Sequence, residues 1–542
     1  MRKFFFVLFL FCIATAVFSQ PATIQRPKLV VGIVVDQMRW DYLYRYYDRY
    51  DARGGFKRLI NDGFTCENTF IPYVPTITAC GHSSIYTGSV PAISGISGNT
   101  WYDKEKRQTV YCTDDASVTT VGSSSAGAGK MSPRNLLVTT ICDELRLATN
   151  FRSKVIGIAL KDRGGILPAG HTANAAYWYD SGTGNWITST YYMNDLPTWV
   201  ADFNAKKLVD KYYTDGWQLL YPAATYVQST TDDKSYEGKP FGPKFPYDLR
   251  QFIEKKDYGK ISATPMGNTL TAEFAKEAIT KEQLGADDIT DFLAISFSST
   301  DYIGHTFGPN SIEEEDNFLR LDRDLGNLLD FLDAKVGKGK YTVFLSADHG
   351  AVQVPEFLKE NKIPAGRAPI TAAIAGLNNM LKERYHIEHI IISDENYQIH
   401  LNHASLDSAK LNEDEVSDVI ISELSKMQGI ARVFSLKDVN KVPLPARLRE
   451  MINNGYNPKR NGDIQIILQP QYIEAYSQVG TTHGLWNPYD SHIPLLFYGW
   501  GVKPGKTTKE TYMTDIAPTI AAMLRIQMPS GCVGHVIDEV IK

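Results

Sequence analysis

Buried strands and amphipathic helices alternate along the chain. Lys28-Leu-Val-Val-Gly-Ile-Val-Val35 is a continuous apolar, β-branched run, the pattern of a strand covered on both faces, and it ends in Asp36. The pattern returns at 292–297, shortly before Asp301, and at 341–345, shortly before Asp348 and His349. Three buried strands thus deliver carboxylates at their C-terminal ends, the edge where open parallel α/β sheets bind ligands. Lys154 to Leu160 leads into Lys161 and Arg163 at a further strand end, and Ile493–Tyr498 reads as another strand. Ser132-Pro133 gives a helix-start signal ahead of Leu136, Leu137, Ile141 and Leu145. Phe318, Leu321, Leu325, Leu328, Leu329, Leu332 and Val336 predict a second helix, closed by Gly337, and 514–524 a third. The alternation predicts an α/β fold with a mostly parallel central sheet flanked by helices.

Two stretches interrupt it. Residues 164 to 265 are rich in Tyr, Trp, Gly and Asp without a clear period and read as a cap or lid insertion. Residues 355 to 480 hold a helical piece near 372–385, a strand near 397–401 and a helix near 413–427, enough for a small α+β insertion. Arg2, Lys3, the apolar run Phe4 to Val17 and Ser19 read as an export signal over 1–19. That run is shorter than the roughly 20 residues of a spanning helix. The expectation is therefore an exported protein, periplasmic or secreted, with no membrane span in its mature form.

At 542 residues, the chain has room for three or four domains of about 150 residues, or for one large α/β domain with insertions. Lys and Arg number 56 against 61 Asp and Glu, a formal charge of -5. This lacks the basic excess of a phosphate-backbone binder, so a nucleic-acid scaffold is not expected as partner. Cys66, Cys80, Cys112, Cys142 and Cys532 are too few and too scattered for a disulfide framework or a Cys-based zinc ribbon, and their pairing is left open.

Asp36, Asp301, His305, Asp348, His349 and His483 are the donor types that zinc and similar ions take, with an open position where the site is catalytic. Singly, a strand-end Asp serves equally as a helix cap or turn former; three convergent strand ends favour a metal. In Pro75-Thr-Ile-Thr78-Ala-Cys-Gly-His82, Thr78 stands where a helix would start. Free N–H groups and the dipole there favour an alkoxide, and a plain N-cap is the other reading. Lys161 and Arg163, two apart, can share one side and bind phosphoryl oxygens, or end a solvated strand.

In their order, Asp36, Thr78, Asn99, Asp301-Tyr-Ile-Gly-His305, Asp348-His349 and His483 resemble the alkaline phosphatase superfamily. Lys161-x-Arg163 resembles its phosphate-irrepressible, PafA-type phosphomonoesterases. The resemblance spans nearly the whole mature chain and implies an alkaline phosphatase-like fold. It also implies two Zn2+ about 4 Å apart, one on Asp301, His305 and His483, the other on Asp36, Asp348 and His349 with Thr78 bridging toward it. Asn99, Lys161 and Arg163 would contact the non-bridging oxygens. The implied reaction is hydrolysis of small phosphate monoesters through a phosphothreonine on Thr78, with net retention at phosphorus.

Related phosphodiesterases keep the ligands and an Asn but lack the Lys-x-Arg pair, and a monoester carries more charge on its non-bridging oxygens, so the pair argues for monoesters. No Cys/Ser-x-Pro-x-Arg segment of the sulfatase kind is present. The enzyme alternative is a metal-dependent phosphodiesterase or nucleotide pyrophosphatase; the other is a non-catalytic exported binding protein. His82 and His171 are read as structural, His386, His389, His400 and His403 as surface residues. Glu313 to Asp316 are read as an acidic helix N-terminus, with calcium as an additional ion left open. The aromatics from Tyr177 to Tyr192 are read as core before lid, and a monomer is compatible with the sequence.

Overall fold

The computed structural model describes residues 25–475 and 477–542; the expected export signal lies outside the described residues. A ten-stranded sheet has the order Gly505–Tyr512, Phe64–Phe70, His492–Gly499, Tyr341–Ser346, Leu29–Val35, Asp291–Phe297, Val155–Ala159, Ala175–Asp180, Asn185–Ser189, Thr120–Val121. The five strands from Tyr341–Ser346 to Ala175–Asp180 are mutually parallel. Every residue of Leu29–Val35, Asp291–Phe297 and Tyr341–Ser346 is buried, as their unbroken apolar runs predict for strands covered on both faces.

The register places the functional edge. Val34 stands opposite both Ser346 and Ser296, and Ser296 stands opposite Ala159. Four adjacent strands therefore end level with one another, and the residues just beyond them emerge along one edge.

Three expectations about the central sheet and its flanking elements change. The helix anticipated from Ser132 begins instead at Ile141 and runs to Ala148, because the capping box is Thr140 with Asp143: the Thr140 Oγ1 accepts from Asp143 N (3.1 Å) and the Asp143 carboxylate from Thr140 N (3.0 Å). Leu137, left outside the helix, is exposed. The stretch 164–265 is not wholly an insertion, since Ala175–Asp180 and Asn185–Ser189 extend the central sheet. Their aromatics pack inward, with Trp186 stacked on Phe274 at 4.2 Å. Lys161 and Arg163 do not end a strand. Val155–Ala159 stops before them, and they form the start of the helix Asp162–Ala169, Lys161 as its N-cap residue.

Within 355–480, Ile391–Ser393, Gln398–Leu401, Ile464–Leu468 and Ile430–Ser435 make a separate four-stranded antiparallel sheet. It has its own core, including Leu377, Leu381, Ile399, Ile420 and Ile466. Asp463 ties this unit to the main body: its carboxylate meets Lys104 Nζ at 2.7 Å, His403 Nε2 at 3.2 Å and accepts from Leu401 N at 2.8 Å. Burial opposes its charge, but His403, Lys104 and the backbone N–H outweigh burial and hold the carboxyl down to about 2. A depressed carboxylate contributes stability that is present above the unfolded value of about 3.9 and is lost as pH falls toward 2, here about 2 kcal/mol. Asp463→Asn should therefore be less stable than the parent at pH 7 by that order in urea unfolding, the gap closing on acidification below about pH 4. A gap that stays constant to pH 2 would refute the assignment.

His386 and His389 are exposed as expected, whereas His400 is buried on the strand Gln398–Leu401 with its ring edge-on to Tyr102 at 5.7 Å. Glu313 to Asp316 do open a helix, Ile312–Leu332, but all four are buried. Asp316 accepts from Trp217 Nε1, Leu220 N and Arg320 Nε. Cys66, Cys80, Cys112, Cys142 and Cys532 are all free thiols.

Candidate active site

The residues beyond the level strand ends converge. Asp36 follows Leu29–Val35, Asp348 and His349 follow Tyr341–Ser346, and Asp301 and His305 lie one turn apart on Ser299–Phe307, the helix after Asp291–Phe297. His483 comes from the loop before His492–Gly499. Among the described residues, three groups of donors lie within 4.8 Å: Asp301, His305 and His483; Asp36, Asp301 and His349; Asp36, His82 and Asp348.

Tautomers decide what these groups can hold. His305, His349 and His483 each turn Nδ1 to a backbone carbonyl, of Thr481 (2.8 Å), Gly350 (3.0 Å) and Thr76 (2.8 Å). A carbonyl only accepts, so Nδ1 carries the hydrogen and Nε2 of the neutral ring offers its lone pair inward. Burial, reinforced by His349 and His305, holds His483 well below the usual histidine range, and burial also lowers His349. His349 Nε2 lies 3.5 Å from Asp36 Oδ1 and 3.4 Å from Asp348 Oδ2, and His483 Nε2 lies 3.6 Å from Asp301 Oδ1. Asp36 Oδ1 and Asp348 Oδ2 are buried without a hydrogen-bond partner. Lone pairs facing lone pairs in a buried site fit dications between them.

The electrostatics agree with that fit. Burial, with Asp348 adding to it against Lys161, pushes the Asp36 carboxyl well above the usual range. Burial also acts against Asp301, but His305 and Lys161 outweigh it and hold that carboxyl well below. Lys161 Nζ sits between the donor groups, 2.8 Å from Asp36 Oδ2 and 2.5 Å from Asp301 Oδ2. His82 is in reach of Asp348 Oδ2 at 3.3 Å. Both its nitrogens are engaged, Nδ1 with Thr78 O (2.9 Å) and Nε2 with Ser296 Oγ (2.8 Å), so it acts as a support. His171 is remote from the cluster, bound by Asp143 and Leu136 O.

Thr78 is the first residue of the buried helix Thr78–Thr87; Ile77 is the N-cap, and no side chain caps that end. The Thr78 hydroxyl is therefore free of capping, and its Oγ1 lies 3.4 Å from His349 Nε2. The helix comes this close because residue 81 is Gly: a Cβ there would meet Asp348 O at 2.3 Å. Asn99 accepts from Ala79 N through Oδ1 at 3.0 Å, which fixes its amide beside the same helix end.

Arg163 is held from one side: its Nη1 donates to Tyr111 Oη at 2.9 Å, and that hydroxyl donates to the Asp162 carboxylate at 2.9 Å. Its buried Nε has no partner. Tyr302, His305, Thr482, Lys260 and Arg367 are among the residues lining an open cavity of about 750 Å³.

Sequence reading missed Gln37 and Tyr111. Gln37 directly follows Asp36, yet nothing in spacing marks it. Tyr111 lies on a short hairpin strand, Gln108–Tyr111, far from any motif.

The chain is similar to known proteins over most of its length. Residues 30–490 match the family model described as type I phosphodiesterase / nucleotide pyrophosphatase. A protein of Myroides odoratus named calcium-transporting ATPase is 56% identical over 96% of this chain and 95% of its own. Alkaline phosphatase PhoV of Synechococcus elongatus is 54% identical over 96% of this chain and 94% of its own. The crystal structure of alkaline phosphatase PafA superposes with a TM-score of 0.93 at 51% identity, covering 96% of this chain and 100% of that one. No helix among the described residues is long and apolar enough to cross a membrane.

Proposed function

The chain belongs to the type I phosphodiesterase / nucleotide pyrophosphatase family of the alkaline phosphatase superfamily, and from that premise we propose that it is an exported dizinc phosphomonoesterase acting on a broad range of small phosphate esters. The observation that carries this reading is the Thr78 hydroxyl, uncapped at a helix N-terminus and set against buried carboxylate and imidazole lone pairs. Asp301, His305 and His483 would hold one zinc, and Asp36, Asp348 and His349 the other, with Thr78 bridging toward it. Bound there, the two ions would supply Lewis acidity, favouring the Thr78 alkoxide and offsetting charge on the leaving oxygen.

The chain's own groups do the rest. Thr78 Oγ attacks phosphorus in line, forming its bond as the ester P–O bond breaks, which leaves a phosphothreonine and an alcohol. Water then displaces Thr78 in a second in-line step, releasing phosphate with net retention. The Asn99 amide, fixed by Ala79 N, has its Nδ2 hydrogens for a non-bridging oxygen, and Lys161 and Arg163 supply positive charge to the others. The cavity beside Tyr302 and His305 gives the alcohol portion room, which suits broad specificity. The N-terminal apolar run supports export.

The family description supports a second reading, a phosphodiesterase. Lys161 and Arg163 favour monoesters, because a dianionic ester gains more from two cations than a monoanionic diester does.

Chelation tests the metal. Dialysis against a strong chelator should abolish hydrolysis of an aryl phosphate monoester, and zinc should restore it, with about two zinc ions per chain by elemental analysis. Full activity in the metal-depleted protein would refute the mechanism.

A further inference from the structure

Gln37 touches both donor groups at once. Its backbone N–H donates to Asp348 Oδ1 at 3.1 Å, and its side-chain Nε2 donates to Asp301 Oδ1 at 2.7 Å. The residue is buried, and its backbone is in the left-handed region at φ 64, which is uncommon for a residue with a Cβ. That turn lets the main-chain and side-chain donors of one residue face opposite carboxylates.

The neighbouring helix makes room for it. A Cβ on residue 304 would lie 2.0 Å from Gln37 Oε1, so the glycine of Asp301-Tyr-Ile-Gly-His305 is the space into which this amide fits. Gln37 and Gly304 thus account for each other.

We infer that Gln37 is a positioning residue that sets the carboxylate of Asp301 relative to that of Asp348, so that one side chain tunes one of the two ion sites while its main chain serves the other. A carboxylate ligand held by an N–H donor keeps one torsion, and loss of such a donor weakens metal binding. Because the main-chain N–H survives substitution by leucine, the two contacts separate: Gln37→Leu removes the donor to Asp301 and leaves the one to Asp348.

The inference rests on the dizinc reading. The test is zinc uptake by metal-stripped protein in competition with a chromophoric chelator, with thermal melting of the stripped forms alongside. The wild type should take up two ions. Gln37→Leu should keep one at wild-type affinity and bind the other about 10- to 100-fold more weakly, the stripped forms melting together. Gly304→Ala, which displaces the same amide without altering residue 37, should show the same selective loss and serves if Gln37→Leu does not fold. Two unchanged affinities, or an equal loss at both sites, would overturn the role of Gln37 and leave the dizinc reading intact. A wild type that takes up no zinc would overturn both.

Discussion

Replacing Thr78 with alanine is expected to reduce turnover of phosphate monoesters by on the order of 10⁴-fold or more, as removal of a nucleophile does in other covalent mechanisms. The fold should survive. Thr78 makes no capping bond, and the helix start is held by Asn99 Oδ1 on Ala79 N and by His82 on Thr78 O, neither of which uses the hydroxyl. Zinc uptake should also survive, since three carboxylates and three imidazoles remain. Steady-state kinetics and elemental analysis check both halves. Acid quenching of wild type during turnover of radiolabelled substrate should leave the label on Thr78. Label on another residue, or a Thr78→Ala enzyme within tenfold of wild type, would remove the nucleophile assignment.

Arg163→Ala should lower kcat/KM for an aryl phosphate monoester by about 10²- to 10³-fold, the scale of losing one preorganised charged contact to a transition-state oxygen, with the aryl diester changed only a few-fold. Arg163 is the cleaner probe of the pair. Lys161 is also the counter-charge of Asp36 and Asp301, at 2.8 and 2.5 Å, so Lys161→Ala would leave two buried carboxylates unbalanced and would disturb both substrates. Arg163 instead takes its orientation from Tyr111 and Asp162, outside the donor cluster. Equal losses on monoester and diester would undo the argument for monoesters and favour the phosphodiesterase reading.

The strands that carry the chemistry were legible because burial on both faces writes an unbroken apolar run, and a charged residue ending such a run stands out. Asp36, Asp301 and Asp348 are of this kind, and the pairing of Val34 with Ser296 and Ser346 explains why they meet. The start of helix Ile141–Ala148 was misplaced because Ser132-Pro133 carries the commoner signal, whereas Thr140 and Asp143 make the cap that formed. Ala175–Asp180 was missed as a sheet strand because its Tyr and Trp residues are buried like aliphatic ones but look like a lid in composition. Lys161 was visible as a cation, but its contact with Asp36, 125 residues away, follows only from folding. Gln37 was invisible because its role depends on a backbone angle and on the empty side of a glycine on another element.

The level row across four neighbouring strands also bears on what an ion-free molecule is. Interstrand spacing near 4.8 Å is a property of the main-chain ladder, and a one-residue slip would turn every inward side chain outward. The strand ends from which Asp36 and Asp348 emerge are consequently stationed by amide-to-carbonyl bonding deep in the sheet, whereas Asp301 depends also on its helix and on Gln37. On the dizinc reading, a stripped molecule should keep this framework and refill on mixing, an outcome that circular dichroism before and after zinc addition would check.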